Sequence, residues 1–437
     1  MKRIFLSVFA VIIFVVVAGT AYFLLPDKKE VAPLSSVTAP KITPEPIKPS
    51  VIGAPLPVVN TPSETPKTTP PPTNVNKKIE PTPVVVPSTP KPVGSTVVPP
   101  PVSVPVSSNR CVIPSGAGEE NVSNPTTVVG NGTSESCTSD AVIAAVKKGG
   151  VVTFSCGAEP VVIKVPEIKI YNNGGKGDGS VTIDGGNKIT LAAVGANRII
   201  YQNTCDESLV WTSPRCDIQG APHLALQNIT LSGGRGDAGD GSLHDVLGGG
   251  AVYVRGGTFK AYNIKVIGSR VVTKDGINTQ DVAGGAIYTF GLAKTATIVN
   301  SVFENNSAPN GGAIGGLFTS YTIMNTKFDT NKTTGHGMNP AKSGTMGGGL
   351  GGAIYNDGNG FALNICGTEF KNNSAAELGS GSIFMVANDL KGKLLIDRSV
   401  FTDNSNVGSV QKLPSIYVEA GDKRGVAGVS VSDTTGL

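Results

Sequence analysis

The sequence has no strongly basic region and very little histidine. Across 437 residues, 36 Lys and Arg side chains stand against 32 Asp and Glu, and there are only 3 His. Residues 111–437 alone carry 25 basic and 27 acidic side chains, a net charge of −2. Proteins that bind nucleic acids need a basic surface to neutralise phosphates. The charge balance therefore nearly excludes a nucleic-acid partner.

Proline and glycine are each scarce in one part of the chain and concentrated in the other. Of 31 prolines, 22 fall between Pro26 and Pro105, whereas 53 of 56 glycines follow residue 110. After residue 110 about one residue in six is glycine, which argues against a helical bundle there, because each glycine costs a helix about 1 kcal/mol. The composition predicts a membrane segment at 1–25, a disordered Pro-rich linker at 26–110 and one folded domain at 111–437.

Charged residues are absent from Ile4 to Leu25, a run of 22 residues. About 20 apolar residues suffice to cross a bilayer, so we expect an uncleaved signal anchor that holds the protein in the membrane through residues 4–25. A cleaved signal peptide is the alternative, with Gly19–Ala21 as its cleavage site. The linker is expected to form an extended polyproline II spacer. The folded domain is then exported to the cell surface, the periplasm or the extracellular space.

No cysteine precedes residue 111 and no Cys-x-x-Cys occurs, which argues against a lipoprotein anchor and a structural zinc site. Six cysteines follow, as expected for an oxidising compartment. Two local bridges are predicted, Cys137–Cys156 and Cys205–Cys216, because each closes a short loop between structured ends. Cys111 and Cys366 either pair or stay free.

Two short motifs recur in order along the C-terminal part of the chain. Gly-Gly-Ala-Ile or Gly-Gly-Ala-Val begins at Gly249, Gly284, Gly311 and Gly351. Phe-x-x-Asn begins at Phe303, Phe328, Phe370 and Phe401, each with an Ile five residues earlier. Strands this short bury their apolar faces only by stacking as coils about 4.8 Å apart. The repeat predicts an all-β parallel β-helix with inward Ile and Phe ladders, an Asn ladder at one corner and an N-terminal helical cap over residues 139–149.

Together the two motifs resemble the repeat of polymorphic outer-membrane proteins, on the right-handed parallel β-helix shared with pectin lyases. The resemblance covers about residues 230–405. It implies that fold and a role in adhesion.

Two sets of residues are candidates for polysaccharide-cleaving chemistry. Asp237, Asp240 and Asp245 lie in a glycine-rich loop and are candidate calcium ligands for a lyase, with a solvated turn as the alternative. Gly335-His336-Gly337 resembles the Gly-His-Gly of polygalacturonases, and Asn278-Thr279 with Asp281 is similar to their Asn-Thr-Asp. Asp281 and His336 are therefore candidate catalytic residues for a hydrolase. No Asp-Asp pair lies between them and no Arg-x-Lys strand follows, which favours a turn histidine.

The loop Asn203–Gly220 contains the only tryptophan, Trp211, with Asp206 and Arg215 near it. An aromatic ring flanked by charged groups can stack on a sugar while the polar groups bind its hydroxyls. The alternative is that Trp211 packs on the coil beneath it.

The sequence therefore predicts an exported, non-enzymatic β-helix module for adhesion or glycan binding, with no cofactor. Its partner would be an extracellular glycan or a surface protein. A membrane-tethered polysaccharide lyase or glycoside hydrolase, with calcium in the lyase case, is the second hypothesis. A structural coat protein is the third.

Overall fold

The computed structural model describes residues 110–171, 179–209, 216–238, 247–292, 294–377, 380–406, 415–419 and 428–437. The predicted signal anchor and the linker up to residue 109 lie outside them. Within these ranges no helix is long and apolar enough to cross a membrane. Their α-helix, Ser139–Lys148, has 10 residues, or about 15 Å against the ~30 Å of a hydrocarbon core. The transmembrane helix of the predicted fold is therefore not found in the described chain, which is all-β, with parallel stacked strands and this short helix.

The strands form three parallel sheets, and every pairing between named strands is parallel. The first sheet contains Thr127–Val129, Gly150–Phe154, Val161–Val165, Val181–Ala193, His223–Ser232, Thr258–Tyr262, Lys265–Ile267, Ala296–Val299, Val302–Glu304, Tyr321–Met324, Lys327–Asp329, Ala362–Cys366, Glu369–Lys371, Lys393–Asp397, Val400–Thr402 and Val429–Ser432. The second contains Ile168–Lys169, Ile200–Asn203, Val252–Arg255, Ile287–Phe290, Ile314–Leu317, Ile354–Gly358, Ile383–Ala387 and Ile416–Glu419. The third contains Arg235–Asp237, Arg270–Val272, Ser307–Ala308, Lys332–Thr333, Ser374–Ala375 and Ser405–Asn406. This arrangement is a parallel β-solenoid.

The Gly-Gly-Ala-Ile motif forms the corner that leads into the second sheet. The first glycine of each copy has a positive φ, between 50° and 73°. A Cβ on the second glycine would clash with the carbonyl oxygen of the equivalent glycine one coil further on. Two backbone constraints therefore require the two glycines of the motif: a left-handed turn at the first and a close approach between coils at the second. The clashing pairs are Gly250 with Gly285, Gly285 with Gly312, Gly312 with Gly352 and Gly352 with Gly381.

Inward side chains of the first sheet form the predicted ladders. The isoleucine ladder runs in register through Leu226, Ala261, Ile298, Ile323, Ile365 and Ile396. The rings of Phe303, Phe328, Phe370 and Phe401 stack with centroid separations of 5.0, 5.0 and 4.6 Å. All of these side chains are buried. The predicted register is therefore confirmed for these coils.

The asparagines of Phe-x-x-Asn form a hydrogen-bonded ladder inside the solenoid. The Nδ2 of Asn306 donates to Asn331 Oδ1 over 3.0 Å, and Asn331 Nδ2 donates to Asn373 Oδ1 over 2.9 Å. Asn373 Nδ2 donates in turn to Asn404 Oδ1 over 3.0 Å. Each amide also accepts a backbone N–H from the previous coil, such as that of Asn306 at Asn331. The ladder satisfies polar groups that the corner would otherwise bury without partners.

The helix Ser139–Lys148 covers the start of the solenoid, with Val142, Ala145 and Val146 buried beneath it. Its N-cap is Thr138, whose Oγ1 accepts the N–H of Ala141 over 3.2 Å. The described cysteines form three disulfide bonds, Cys137–Cys156, Cys205–Cys216 and Cys111–Cys366. The first two match the predicted local bridges, and the third joins the two cysteines left open, 255 residues apart.

Residues 110–126, here called the strap, run along the outer face of the first sheet towards the cap. Asn325 holds both backbone groups of Cys111, accepting its N–H over 2.7 Å and donating to its carbonyl over 2.9 Å. Two coils earlier, Lys260 donates to Glu120 over 2.8 Å, and the N–H of Glu120 donates to Gln227 on the coil before that. The strap therefore spans coils that are far apart along the solenoid, and the long-range disulfide bond fixes one of its ends.

We expect Asn331→Ala to lower the free energy of unfolding by about 2 to 4 kcal/mol, because it leaves a buried N–H and a buried amide of Asn306 without acceptors. Lys332→Ala changes the exposed neighbour and should stay within about 0.5 kcal/mol. Urea unfolding of the two variants measures both values, and equal effects would contradict a stabilising ladder.

Removing the long-range bridge in Cys111→Ala/Cys366→Ala should cost about 5 kcal/mol of unfolding free energy in the chain-entropy model. Cys205→Ala/Cys216→Ala opens a loop of only 11 residues and should cost less than about 3 kcal/mol. Chemical unfolding of both double variants under oxidising conditions gives the comparison. A larger loss for the short loop would show that the strap contributes little.

Candidate functional site

The candidate calcium ligands and sugar-binding residues are only partly within the described chain. Asp240, Asp245, Trp211 and Arg215 lie outside the described residues. Asp237 is exposed and forms an ion pair with Arg235 at 3.3 Å. Asp206 accepts the backbone N–H of Ser208 over 3.0 Å in a local turn. Its carboxylate also adds to the effect of burial in raising the pKa of Tyr201.

The two candidate catalytic residues, His336 and Asp281, do not line the same pocket. His336 is exposed and lines a pocket of about 390 Å³ together with Lys274, Asp275 and Thr334. Asp281 is half-buried and is not part of that lining. Among the described hydrogen bonds, none joins Asp281 to His336. The polygalacturonase-like pairing therefore has no contact to support it.

Asp281 instead forms a polar cluster on the second sheet, here called the Asp281–Asp357 cluster: Asp281, Asn339, Tyr355, Asp357 and Asn388. Tyr355 Oη lies 3.2 Å from Asp281 Oδ1 and 2.9 Å from Asp357 Oδ2. Asn339 Nδ2 lies 3.0 Å from the same oxygen of Asp281 and 3.1 Å from that of Asp357. Asn388 Nδ2 donates to the other oxygen of Asp357 over 2.9 Å. Two carboxylates thus share one hydroxyl and one amide.

Strand Ile354–Gly358 places Tyr355 and Asp357 on one face, because side chains alternate along a strand. The ring of Tyr355 is fixed by stacking on Phe384 at 5.2 Å. Asp281 comes from the loop before strand Ile287–Phe290. That loop is held by the buried Asn310, whose Nδ2 lies within 3.1 Å of the carbonyls of Thr279, Gln280 and Val282.

A missing ring lets the Asp281 loop reach the sheet. An aromatic ladder on the second sheet consists of Tyr201, Tyr253, Tyr288, Tyr355, Phe384 and Tyr417. Between Tyr288 and Tyr355 the equivalent position in register is Gly315. At Gly315 there is no ring, and a Cβ there would lie 2.6 Å from Ala283 Cβ. The segment carrying Ala283 therefore occupies the space of the absent side chain. Asp281, two residues before Ala283, accepts a hydrogen bond from Tyr355. Burial raises the pKa of Tyr288, and the charges of Tyr253 and Asp281 add to that effect.

Burial raises the pKa of both carboxyls. For Asp281, the hydrogen bonds from Tyr355 and Asn339 oppose this effect without cancelling it. For Asp357, the negative charge of Asp281 raises the pKa further. The donors of the cluster are fewer than its contacts. Tyr355 Oη and Asn339 Nδ2 together carry three hydrogens, but they make two contacts each with the carboxylates and one contact of 2.7 Å with each other. The two carboxyls therefore titrate as a coupled pair.

The sequence reasoning missed four members of the cluster: Asn339, Tyr355, Asp357 and Asn388. Asp357 could have been noticed in the sequence, because a charged residue stands there at a position that is apolar in earlier coils, Phe290 and Leu317. No comparable signal marks Asn339, which lies in a loop outside the repeat.

The described residues contain one grouping of three metal-ligand side chains, Cys111, Cys366 and Asp397. Both sulfurs are committed to a disulfide bond. The grouping therefore offers no thiolate to a metal ion.

Asp281→Asn should alter how stability depends on pH. Between the unfolded pKa of an aspartate, about 3.9, and the higher folded pKa, the folded wild type binds more protons than the unfolded chain. Its stability therefore falls as pH rises through the folded value. The Tm of the wild type minus that of Asp281→Asn should increase as pH is lowered from 7.5 to 5, measured by thermal unfolding. A decrease would contradict a raised pKa.

Comparisons with known proteins give no assignment for this site or for the chain. No family model, no curated protein and no solved structure matches the chain. The resemblance of the repeat to polymorphic outer-membrane proteins gains no support from them. The described fold, mostly parallel strands in stacked sheets, is consistent with a β-helix.

Proposed function

We propose that the chain is an exported β-solenoid that binds a glycan as a non-enzymatic module. The Asp281–Asp357 cluster carries this proposal. Binding sites for small polar molecules use a few placed carboxylates, amides and hydroxyls beside apolar or aromatic surface. Asp281 and Asn339 are partly exposed and Asn388 is exposed, so a sugar hydroxyl can reach the cluster.

Export is supported by the three disulfide bonds, since such bonds persist mainly in oxidising compartments. In this proposal the Pro-rich segment at 26–110 acts as a spacer, and the glycan is extracellular. Trp211, with Asp206 and Arg215, remains a proposed second contact for the same polymer.

A polysaccharide hydrolase is the second candidate, and one observation favours it. Glycoside hydrolases use two carboxyl groups, one as an acid with a raised pKa and one as a base or nucleophile. The carboxyls of Asp281 and Asp357 share hydrogen-bond partners and both have raised pKa values. Against this candidate, Asp357 is only 7 % exposed, which limits its access to a substrate.

The full chain, produced with its disulfides formed, should be incubated with neutral and uronic-acid polysaccharides. Retention of intact polymer and release of new reducing ends are followed in the same samples. We expect retention without cleavage, weakened at least tenfold by Asp281→Asn, because a charge-assisted hydrogen bond contributes about 1.5 to 3 kcal/mol.

Asp275→Asn is the matched control, because Asp275 is exposed and lies outside the cluster. It should leave retention unchanged. Cleavage that Asp281→Asn abolishes would replace the binding proposal by the hydrolase. Retention lost only in Trp211→Ala would move the binding site to the loop Asn203–Gly220, and no retention of any polymer would reject glycan binding.

A further inference from the structure

The N-terminal chain joins the solenoid at a late coil. Cys111 is bonded to Cys366, which ends strand Ala362–Cys366. In the first sheet that strand lies seven strand spacings from Thr127–Val129, or roughly 34 Å at about 4.8 Å for each spacing. The strap covers this distance back to the cap. Tension on the chain before Arg110 therefore has two routes into the fold, through the disulfide bond or along the strap.

The strap is held on the sheet by separate contacts with different coils. At one end, Asn325 pairs with both backbone groups of Cys111. At the other, Gln227 accepts the N–H of Glu120 over 2.8 Å and donates to its carbonyl over 3.2 Å. On a coil between them, Lys260 donates to the carboxylate of Glu120 over 2.8 Å. Tension applied from the Cys111 end would break these contacts one after another, because it reaches each coil in turn.

The start of the solenoid lies directly behind the strap. The chain continues into Thr127–Val129, whose described partner strand is Gly150–Phe154, and then into the helix Ser139–Lys148 that covers the first coils. Each coil of a solenoid contacts mainly its neighbours. Removing the first strand and the cap would expose the next coil to the same tension, so peeling that begins at the strap would propagate along the solenoid.

The coil of Cys366, in contrast, is held on both sides. Its strand pairs in register with one strand of the coil before it and one of the coil after it. The ring of Phe370 stacks on phenylalanine rings of both neighbouring coils, with centroid separations of 5.0 and 4.6 Å. Asn373 joins the same coils through the asparagine ladder. Tension that enters here must separate two interfaces at once, whereas tension on an edge strand separates only one.

We infer that the Cys111–Cys366 bond is a mechanical attachment, which passes tension from the N-terminal chain into the coil of Cys366 and keeps it off the strap, the cap and the earlier coils. The covalent bond lies in parallel with the strap, so it takes the tension before the hydrogen bonds of the strap are stretched. It closes a loop with a sequence separation of 255 residues. No part of this loop can be extended while the bond is intact.

This attachment lies close in the chain to the proposed glycan site. Tyr355 and Asp357 belong to strand Ile354–Gly358, which directly precedes Ala362–Cys366. With a glycan bound there, as proposed, the path of tension from the ligand to the disulfide bond stays within one coil. The attachment itself does not depend on glycan binding, and it is tested without a ligand.

The test stretches single molecules of the full chain, produced with its disulfides formed and held at its two ends. The coils after Cys366 lie outside the bridged loop, so their opening steps occur in every variant and serve as the force reference. In Cys111→Ala/Cys366→Ala the strap and cap should open at about half the reference force, because the contacts of the strap break singly. Opening of the former loop should then release roughly 840 to 920 Å of chain that the wild type does not release.

Cys205→Ala/Cys216→Ala is the matched control, because its disulfide bond lies within the bridged loop. It should give the steps of the wild type. Dithiothreitol added to folded wild-type molecules opens the bridge without a substitution and should lengthen the trace to that of the first variant. If the strap and cap of the unbridged chain open at or above the reference force, the strap carries the tension unaided and the inference is overturned.

Discussion

Parallel hydrogen bonding between successive coils is the constraint on which the rest of this structure depends. Each strand is too short to bury its apolar face alone, and it becomes stable only where the next coil presents the same residue in register. The glycine corners, the isoleucine and phenylalanine ladders and the asparagine ladder all serve that register. They differ in the force they use: steric fit at Gly250 and Gly285, ring stacking at Phe303 and Phe328, and hydrogen bonding at Asn331.

The polar cluster arises where the register is kept but the side-chain ladder is broken. Gly315 preserves the backbone pairing with Tyr288 and Tyr355 while omitting the ring between them. The vacated space admits the segment at Ala283, and Asp281 enters with it. Because each coil contacts mainly its neighbours, such a local exception costs little elsewhere. For the same reason, one register position can carry Phe290 and Leu317 in two successive coils and the carboxylate of Asp357 in the next.

The periodic part of the fold could be predicted from the sequence, because a ladder repeats its chemistry at every coil. Ile298, Phe303 and Asn306 recur with fixed spacing, and that spacing determines which residues face inward. The site could be predicted only through Asp281, since Tyr355 repeats an ordinary ladder position, Asp357 replaces the apolar residues of earlier coils, and Asn339 lies in a loop outside the repeat. Asn310 holds the Asp281 loop through three backbone carbonyls, a contact that no spacing rule reveals. Whether Cys111 pairs with Cys366 was left open by the sequence, because the pairing depends on the path of the strap across the coils.

The strap and the cluster lie on different sheets, and this separation bears on how the domain would work. The strap crosses the outer face of the first sheet and hydrogen-bonds to Gln227, Lys260 and Asn325. The outer face of the second sheet instead meets the loops that bring in Asp281 and Asn339. The long-range disulfide bond thus attaches the chain that follows the Pro-rich segment to one face and leaves the polar cluster on another. A ligand bound at Asp281, as proposed, would therefore not compete with the strap for the same surface.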